Sequence, residues 1–217
     1  MPNIFIDDVE VIVSDIDQYM QINDISGADL ARIWPHIKEL YDGYEKWICY
    51  RNYDSIPHAL LKDLGGVLED DCIETILTNT ELSCLYEHSI TQITEENLEA
   101  FTAYHDKCNP NNGAKSAIIR RNLSRWGIFA VIADGRVTDY TIISMGGEAT
   151  AEIYCIEASD YDTCVSLVQY ASKYAFDGGK KDVLYMASAN TTAHKAVKQV
   201  GFVDTGVYMG YELRRSR

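Results

Sequence analysis

The chain has 217 residues, of which 47% are hydrophobic, and its formal net charge is −14. This length and hydrophobic content allow one large core, or one core with a smaller companion, and exclude a chain that is disordered throughout. The acidic charge is concentrated in residues 1–88, which hold 18 Asp and Glu against 5 Lys and Arg, whereas residues 89–217 hold 15 against 14. An acidic first region would repel phosphates, which argues against nucleic acid, and would attract a cationic substrate. A solvated acidic surface also accounts for this charge.

Two further features narrow the class of protein. Its apolar runs are far shorter than the roughly 20 residues that a membrane-spanning helix needs, and Met1 is not followed by a basic leader with a long apolar stretch. We therefore expect a cytoplasmic protein that does not associate with membranes. The six cysteines form no Cys-x-x-Cys pair and have no histidines at zinc spacing, so we expect reduced thiols and no metal.

Residues 1–88 read as an α/β module without a chemical motif. Apolar spacing predicts a helix over residues 28–41, a short strand at 46–50 and a second helix over 54–64. Residues 72–77 fit a helix or a strand equally well. No linker rich in Pro or Ser follows, so an independent domain and a subdomain packed on the rest of the chain both stay open.

From residue 89 onward, strand and helix patterns alternate, with turn signals between them. The predicted elements are a strand leading into a helix over 90–101, a turn at 109–113, a helix over 114–126, a strand at 128–133, the hairpin signal Asp134-Gly135 and a partner strand at 137–144. The alternation continues with a strand at 151–157, a helix over 163–176, a strand at 182–188 and a last strand at 208–213.

One compact signature lies between the last two strands: Asn190-x-x-Ala193-x-x-x-Val197-x-x-x-Gly201-Phe202. We interpret it as a short amphipathic helix that has Asn190 as its N-cap and Gly201 as its left-handed C-terminal residue. The order β-α-α-β-β-β-α-β-α-β and this signature resemble the GNAT (GCN5-related N-acetyltransferase) superfamily over residues 89–213.

The resemblance implies an α/β protein with an α+β mixed sheet: a GNAT-like acetyltransferase domain at residues 89–217 and an extra N-terminal α/β module at residues 1–88. Because many folds alternate strands and helices, a different α/β arrangement stays open. The resemblance also implies that acetyl-CoA lies between two splayed parallel strands, at residues 151–157 and 182–188. The backbone amide of Ile156 would polarise the thioester carbonyl there.

A general base is expected on the first of these two strands. Ala151-Glu152-Ile153 is similar to the strand start of histone-type members of the family, which implies that Glu152 is the base. Strand alternation places Glu152, Tyr154 and Ile156 on one face and Glu157 on the other, so Glu157 is the weaker substitute. A glutamate in a strand is also often an ordinary surface or ion-paired residue.

The loop at residues 158–164 departs from the family pattern. The family places glycines and an arginine or glutamine here, so that backbone amides hold the diphosphate of acetyl-CoA. This loop has no glycine and no cation, and Asp162 and Cys164 occupy the glycine positions. We expect Asp162 to cap the following helix and to occupy amides that a phosphate would use. Lys180 and Lys181 either compensate for the missing cation or belong to a solvated turn.

The acid that protonates the departing CoA thiolate is the second departure, because Val197 replaces the family's tyrosine. Tyr154, Tyr208 or Tyr211 could reach the site from other strands, and a weakly basic thiolate can also leave without a strong acid. By resemblance, contacts with acetyl-CoA are expected from Ile156, Glu157, Ala158, Thr163, Cys164, Asn190 and Lys195.

Two functions follow from these observations. The first is an acetyl-CoA-dependent N-acetyltransferase acting on a primary amine of a small molecule or peptide, with residues 1–88 shaping the acceptor pocket and favouring a cationic acceptor. The alternative is a GNAT-fold protein that lacks catalytic activity and acts as a binding module. The oligomeric state stays open, and a homodimer is among the alternatives.

Overall fold

The computed structural model describes residues 3–15, 18–23, 25–51, 55–78, 82, 89–108, 116–121 and 123–213. The chain divides into two compact units, of which Met1–Glu74 with Gly206–Arg217 form the first and Thr75–Thr205 the second. The predicted turn at 109–113 lies outside the described residues. The predicted boundary between residues 88 and 89 follows the segment 83–88, which also lies outside them, and stays a prediction.

The first unit contains a mixed sheet and two helices. Its elements are β1 (Asn3–Ile6), β2 (Val9–Ser14), β3 (Tyr19–Ile22), α1 (Gly27–Leu40), β4 (Glu45–Arg51), α2 (Ser55–Asp63), β5 (Val67–Leu77) and β11 (Val203–Leu213). Residues 75–77 of β5 and residues 203–205 of β11 belong to the second unit. The strand order is β1-β2-β3-β4-β11-β5, in which β3 and β4 are parallel.

The core of the first unit forms because α1 presents one apolar face to the sheet. Ser26 caps the helix by accepting a hydrogen bond from the Asp29 amide at 3.1 Å, and Leu30, Ile33 and Ile37 are fully buried. The two predicted helices and the strand at 46–50 are confirmed as α1, α2 and β4, although residue 54 lies outside the described residues. Residues 72–77, which fitted either structure, are strand.

The second unit places helices on both faces of its sheet. Its elements are β6 (Ile90–Gln92), α3 (Leu98–Cys108), α4 (Ser116–Arg121), β7 (Trp126–Ala133), β8 (Arg136–Ser144), β9 (Thr150–Glu157), α5 (Tyr161–Asp177), β10 (Asp182–Ala187) and α6 (Thr192–Val200). The strand order is β5-β10-β9-β8-β7-β6. The strands β6 to β9 are joined antiparallel, whereas β9 and β10 are parallel.

The predicted mixed α/β class and the element order of this unit are confirmed. Asp134 and Gly135 both have positive φ angles, as the predicted two-residue hairpin requires. The predicted helix over 114–126 is shorter in the structure, because Trp126 pairs with Ser144 as the first residue of β7.

Two hydrophobic clusters cover the two faces of this sheet. The α5 cluster includes Leu167 and Val168 of α5, Ala151 and Ile153 of β9, and Val197 of α6. The α3 cluster includes Phe101 of α3, Ile119 of α4, and Ile128, Tyr140 and Ile142 of β7 and β8. A residue of β9 therefore faces one cluster or the other, and its face decides which helices it meets.

The same element order occurs in both units. The segment β3-α1-β4-α2-β5 begins in the first unit, and β9-α5-β10-α6-β11 begins in the second. Each segment starts with two parallel strands joined by a helix. The chain thus contains two β-α-β-α-β segments, which can be compared element by element.

Candidate active site

The parallel strands β9 and β10 are paired over only part of their length. Their register begins at Asp182 opposite Thr150 and ends at Tyr185 opposite Ile153. Strand β9 continues to Glu157 and β10 to Ala187, so residues 154–157 of β9 extend beyond the last pair. Backbone groups along that edge of β9 can therefore hydrogen-bond to an extended ligand.

A β-bulge lies where the pairing with β10 ends. On the other side of β9, Ile143 faces Ile153 but Ile142 faces Cys155, so Tyr154 is the extra residue. A bulge shifts the alternation of side chains by one position and bends the strand. The predicted faces of β9 are therefore wrong beyond this residue.

Cross-strand partners give the faces directly, because opposed residues of antiparallel strands point to the same side of the sheet. Ile156 packs against the α5 cluster. Glu157 is opposite Tyr140, whose side chain lies in the α3 cluster. Glu152 is opposite Ser144, two residues along β8 from Ile142 of the α3 cluster. Both candidate bases thus lie on the α3 face, and Ile156 points away from them.

Glu157 stands at the edge of a buried polar network that the sequence did not reveal. The Cys155 thiol lies 3.9 Å from Glu157 Oε1 and 3.8 Å from the Tyr140 hydroxyl, which in turn lies 2.7 Å from His105 Nδ1. Burial raises the pKa of Cys155 to about 11 and raises that of Tyr140 well above its usual range. Cys155 is therefore a neutral thiol that donates to the Glu157 carboxylate.

The tyrosines considered as acids are placed differently by the structure. Tyr154, on the bulge, is 44% exposed and meets the ring of Trp126 edge-on, with 5.8 Å between ring centroids. Tyr208 and Tyr211 belong to the first unit, where the Tyr211 hydroxyl is hydrogen-bonded to His58 Nδ1. Val197 is fully buried in the α5 cluster. Among these tyrosines, Tyr154 alone lies on β9.

The N-terminus of α5 is capped by Asp160, not by Asp162 as predicted. The Asp160 carboxylate accepts hydrogen bonds from the Thr163 amide at 2.9 Å and from the Thr163 hydroxyl at 2.8 Å. Asp162 lies inside the first turn, because the strand-to-helix loop closes two residues earlier than the helical pattern suggested. The predicted cofactor contacts Thr163 and Cys164 are both buried, and the Cys164 amide bonds to the Asp160 carbonyl.

A second carboxylate occupies the loop before α5. Asp139 of β8 is only 4% exposed, and its Oδ1 accepts a hydrogen bond from the Ser159 amide at 2.5 Å. Ala158, another predicted cofactor contact, packs against the α5 cluster. The Ser159 amide, just before the N-cap of α5, and the Thr163 amide in its first turn are thus held by carboxylates of the chain itself.

These observations test whether acetyl-CoA fits. The ends of β9 and β10 beyond their last pair, here called the parted strands, suit an extended thioester arm. The start of α5 does not suit a diphosphate, because Asp139, Asp160 and Asp162 surround it. Residues 157–164 include no Lys or Arg. Lys180 follows the other end of α5, about 25 Å along its axis, and donates to the carbonyls of Gly147 and Glu148. It does not replace the missing cation.

The signature helix α6 begins one residue later than predicted. Thr191 is its N-cap, accepting a hydrogen bond from the His194 amide at 3.2 Å, whereas Asn190 adopts a left-handed conformation with φ of 63°. Gly201 ends the helix in the left-handed region, with φ of 111°, as predicted. Asn190 and Lys195 are both exposed near the start of α6.

No group of three or more His, Cys, Asp or Glu side chains able to hold a metal ion occurs among the described residues. Within the same residues, no helix is both long and apolar enough to span a membrane.

The architecture is similar to that of solved N-acetyltransferase structures. A GCN5-related N-acetyltransferase from Kribbella flavida aligns with a TM-score of 0.71 at 9% identity, over 97% of this chain and 88% of its own. One from Sphaerobacter thermophilus aligns with a TM-score of 0.69 at 10% identity, over 96% and 77%. A tandem GNAT protein from the clavulanic acid biosynthesis pathway aligns with a TM-score of 0.60 at 12% identity, over 96% and 79%.

Comparisons of the sequence alone find no match. No protein-family model matches the chain, and no curated protein matches it either. The resemblance over residues 89–213 is nevertheless matched by the structural neighbours, each of which is aligned over nearly the whole chain. The chain has the fold of the GCN5-related N-acetyltransferases, as its element order and signature predicted.

Proposed function

We propose that the second unit transfers an acetyl group from a thioester to the nitrogen of a primary amine. The observation that carries this proposal is the end of the pairing between β9 and β10 at Ile153 and Tyr185, next to the bulge at Tyr154. Support also comes from the fold, because the solved neighbours include proteins named as N-acetyltransferases. The acidic residues of the first region favour a cationic acceptor.

The chemistry sets clear requirements for this site. The amine nitrogen attacks the thioester carbonyl carbon, a C–N bond forms, and the C–S bond then breaks. A carboxylate must take the amine proton, and an N–H donor must face the developing oxyanion. The thiolate can accept a proton from water, because thiols have pKa values near 8.5. A buried Val197 is therefore compatible with turnover.

Glu157 and Glu152 are the two proposed bases, and each has separate support. Glu157 lies on the part of β9 beyond its pairing with β10, and the Cys155 thiol donates to its carboxylate. Glu152 lies opposite Leu184 within the paired part, and its support is the resemblance to histone-type enzymes. The Ile156 amide is the proposed oxyanion donor. Tyr154 lies beside these groups on the bulge and stays a candidate acid.

The donor implied by the fold family is acetyl-CoA. Its arm suits the parted strands, with Ile156 and Asn190 as proposed contacts and Lys195 as the nearby cation on α6. Its diphosphate does not suit the capped start of α5. We therefore propose the acetyl thioester as the donor class and keep acetyl-CoA as one member of it.

The proposal is tested by incubating the full chain with a millimolar acetyl thioester and a primary amine. Acetyl-CoA and S-acetyl-pantetheine serve as donors, spermidine and a lysine-containing peptide as acceptors, and mass spectrometry detects the acetylated amine. We expect product with at least one pairing at a rate above that of the buffer and of heat-denatured protein. Absence of excess product in every pairing contradicts the proposal.

A second candidate is a GNAT-fold binding module without catalytic activity. Two observations favour it: Asp160 caps the helix where the family binds phosphate, and Val197 fills the position of the family's acid. The acetylation assay separates the two candidates, because a binding module yields no acetylated amine with any donor. Product formation at a rate that depends on Glu157 or Glu152 rejects it.

A further inference from the structure

We infer that this site recognises its donor through the pantetheine arm alone and accepts thioesters that carry no nucleotide diphosphate. The inference rests on the proposed function and names the donor class of the same site. It follows from two features already described: the parted strands β9 and β10, and the carboxylates that fill the start of α5.

Three amides at the start of α5 and in the loop before it are already bonded within the chain. Asp160 holds the Thr163 amide at 2.9 Å, and Asp139 holds the Ser159 amide at 2.5 Å. The Cys164 amide bonds to the Asp160 carbonyl within the helix. Both carboxylates are covalently part of the chain, so a diphosphate would have to displace them without gaining a cation in exchange.

Charge opposes the diphosphate as well. Asp160 and Asp162 lie in the cap and first turn of α5, and Glu157 ends the strand just before them. Asp139 approaches the same loop from β8. The positive end of the helix dipole, which draws anions to other helices, is here opposed by the carboxylates of Asp139, Asp160 and Asp162.

The strand edge offers what a neutral donor requires. Pantetheine is an uncharged chain of two amides joined by short alkyl segments, so it can pair with backbone groups of an extended strand. Residues 154–157 extend past the pairing with β10 and present such an edge. Recognition through backbone hydrogen bonds needs no charge on the ligand.

Calorimetry with the full chain tests the inference by binding, without turnover. We expect coenzyme A to bind no more than about threefold more tightly than pantetheine, and higher salt not to weaken it, because salt screens the repulsion between its phosphates and the carboxylates around the start of α5. Adenosine 3′,5′-bisphosphate, the nucleotide part alone, should not bind. Coenzyme A binding about 30-fold more tightly than pantetheine overturns the inference but leaves the proposed function intact. Failure of both thiols to bind overturns the proposed function and this inference with it.

A charge-removing variant checks the cause. Asp160→Ser combined with Asp162→Asn removes two negative charges, and serine preserves a capping oxygen. We expect this variant to bind coenzyme A at least about tenfold more tightly than the wild type, with pantetheine binding unchanged. Asp177→Asn, at the other end of α5, is the matched control and should alter neither. An unchanged affinity of the double variant for coenzyme A overturns the inference.

Discussion

The two β-α-β-α-β segments share an element order but differ in how their parallel strands are paired. In the first unit, pairing with β4 covers all of β3, from Tyr19 opposite Glu45 to Ile22 opposite Ile48. In the second unit, β9 outruns its pairing with β10 by the four residues 154–157. A parallel pair joined by a helix is therefore common to both units. The bulge at Tyr154 and the unpaired end of β9, on which the proposed site depends, occur in the second pair.

The starts of α1 and α5 differ in charge. Ser26, an uncharged cap, opens α1, and the nearby Asp29 is paired with Arg32 at 2.9 Å. Asp160 opens α5, and Asp162 follows it, in a loop without Lys or Arg. The two helices are thus capped at equivalent positions by an uncharged side chain in α1 and by a charged one in α5. The charged cap of α5 would repel an anionic ligand.

The largest expected effect comes from removing the base of the second unit. Glu157→Gln or Glu152→Gln, whichever carboxylate takes the amine proton, should lower the rate of amine acetylation by about 100-fold or more. Affinity for the thioester should change little, because the lost group acts on the amine. Steady-state rates and calorimetry on both variants measure these quantities.

Glu148→Gln is the matched control, since Glu148 is exposed in the turn before β9. Its rate should equal that of the wild type. Wild-type rates for both Glu157→Gln and Glu152→Gln would reject a carboxylate base on β9.

Core substitutions compare the packing of the two helices. Leu30 of α1 and Leu167 of α5 are both fully buried, so Leu30→Ala and Leu167→Ala should each lower the free energy of unfolding by about 2–5 kcal/mol. Leu40→Ala, at a side chain that is 63% exposed, should change it by less than about 0.5 kcal/mol. Denaturant titration monitored by circular dichroism measures all three. A neutral effect at Leu167 would contradict its place in the α5 cluster.

Cap substitutions compare the two helix starts more finely. Ser26→Ala and Asp160→Ala each remove a side-chain acceptor from an N-cap, which should cost about 1 kcal/mol of stability in either helix. Asp162→Ala should cost less, because Asp162 does not cap α5. If Asp162→Ala is the more destabilising of the two aspartate variants, the assignment of Asp160 as the cap is wrong. Thermal unfolding of the three variants decides the order.

Protonation of Asp29 at acid pH should change the stability of the folded chain only slightly. A hydrogen bond from Ser26 and the pairing with Arg32 hold the pKa of Asp29 below its ordinary value of 3.8. A folded-state pKa below the unfolded value stabilises the folded chain above pH 3.8, and this contribution is lost as the pH falls through the folded pKa. Wild type should therefore exceed Asp29→Asn slightly in stability at pH 6, and the difference should decrease as the pH falls below 3.8.

Because Asp29 and Arg32 are exposed, high salt should also reduce the difference in stability between wild type and Asp29→Asn at pH 6. Denaturant titrations at two pH values and two salt concentrations measure it. A difference that grows as the pH falls below 3.8 would contradict the pairing of Asp29 with Arg32.

Local patterns predicted much of the fold. The apolar spacing over residues 163–176 and the signature ending at Gly201 identified α5 and α6, since these helices bury one continuous face and stop at a recognisable residue. The element order of the second unit followed from the same signals. Strands β1 to β3 escaped prediction because they are only 4 to 6 residues long and are stabilised by partners elsewhere in the sheet.

Several details of the candidate site could not be predicted from local patterns because they depend on tertiary contacts. The bulge at Tyr154 has no glycine or proline to mark it, and it exists only because β8 and β9 pair out of step. Asp160 and Asp162 are equally good caps by type, and Asn190 is by type a better cap than Thr191. In each pair, the residue that caps the helix is set by where the preceding strand ends. His105 and Tyr140 meet across 35 residues of sequence, which no local pattern connects.

The proposed binding of a thioester along the unpaired end of β9 can be followed residue by residue through the amide resonances of the isotope-labelled chain. On titration with S-acetyl-pantetheine, we expect the largest shifts at the amides of residues 154–157, and none at residues 19–22, where β3 is paired to its end. Shifts centred on residues 19–22, or no shift at residues 154–157 with saturating thioester, would contradict the proposed binding.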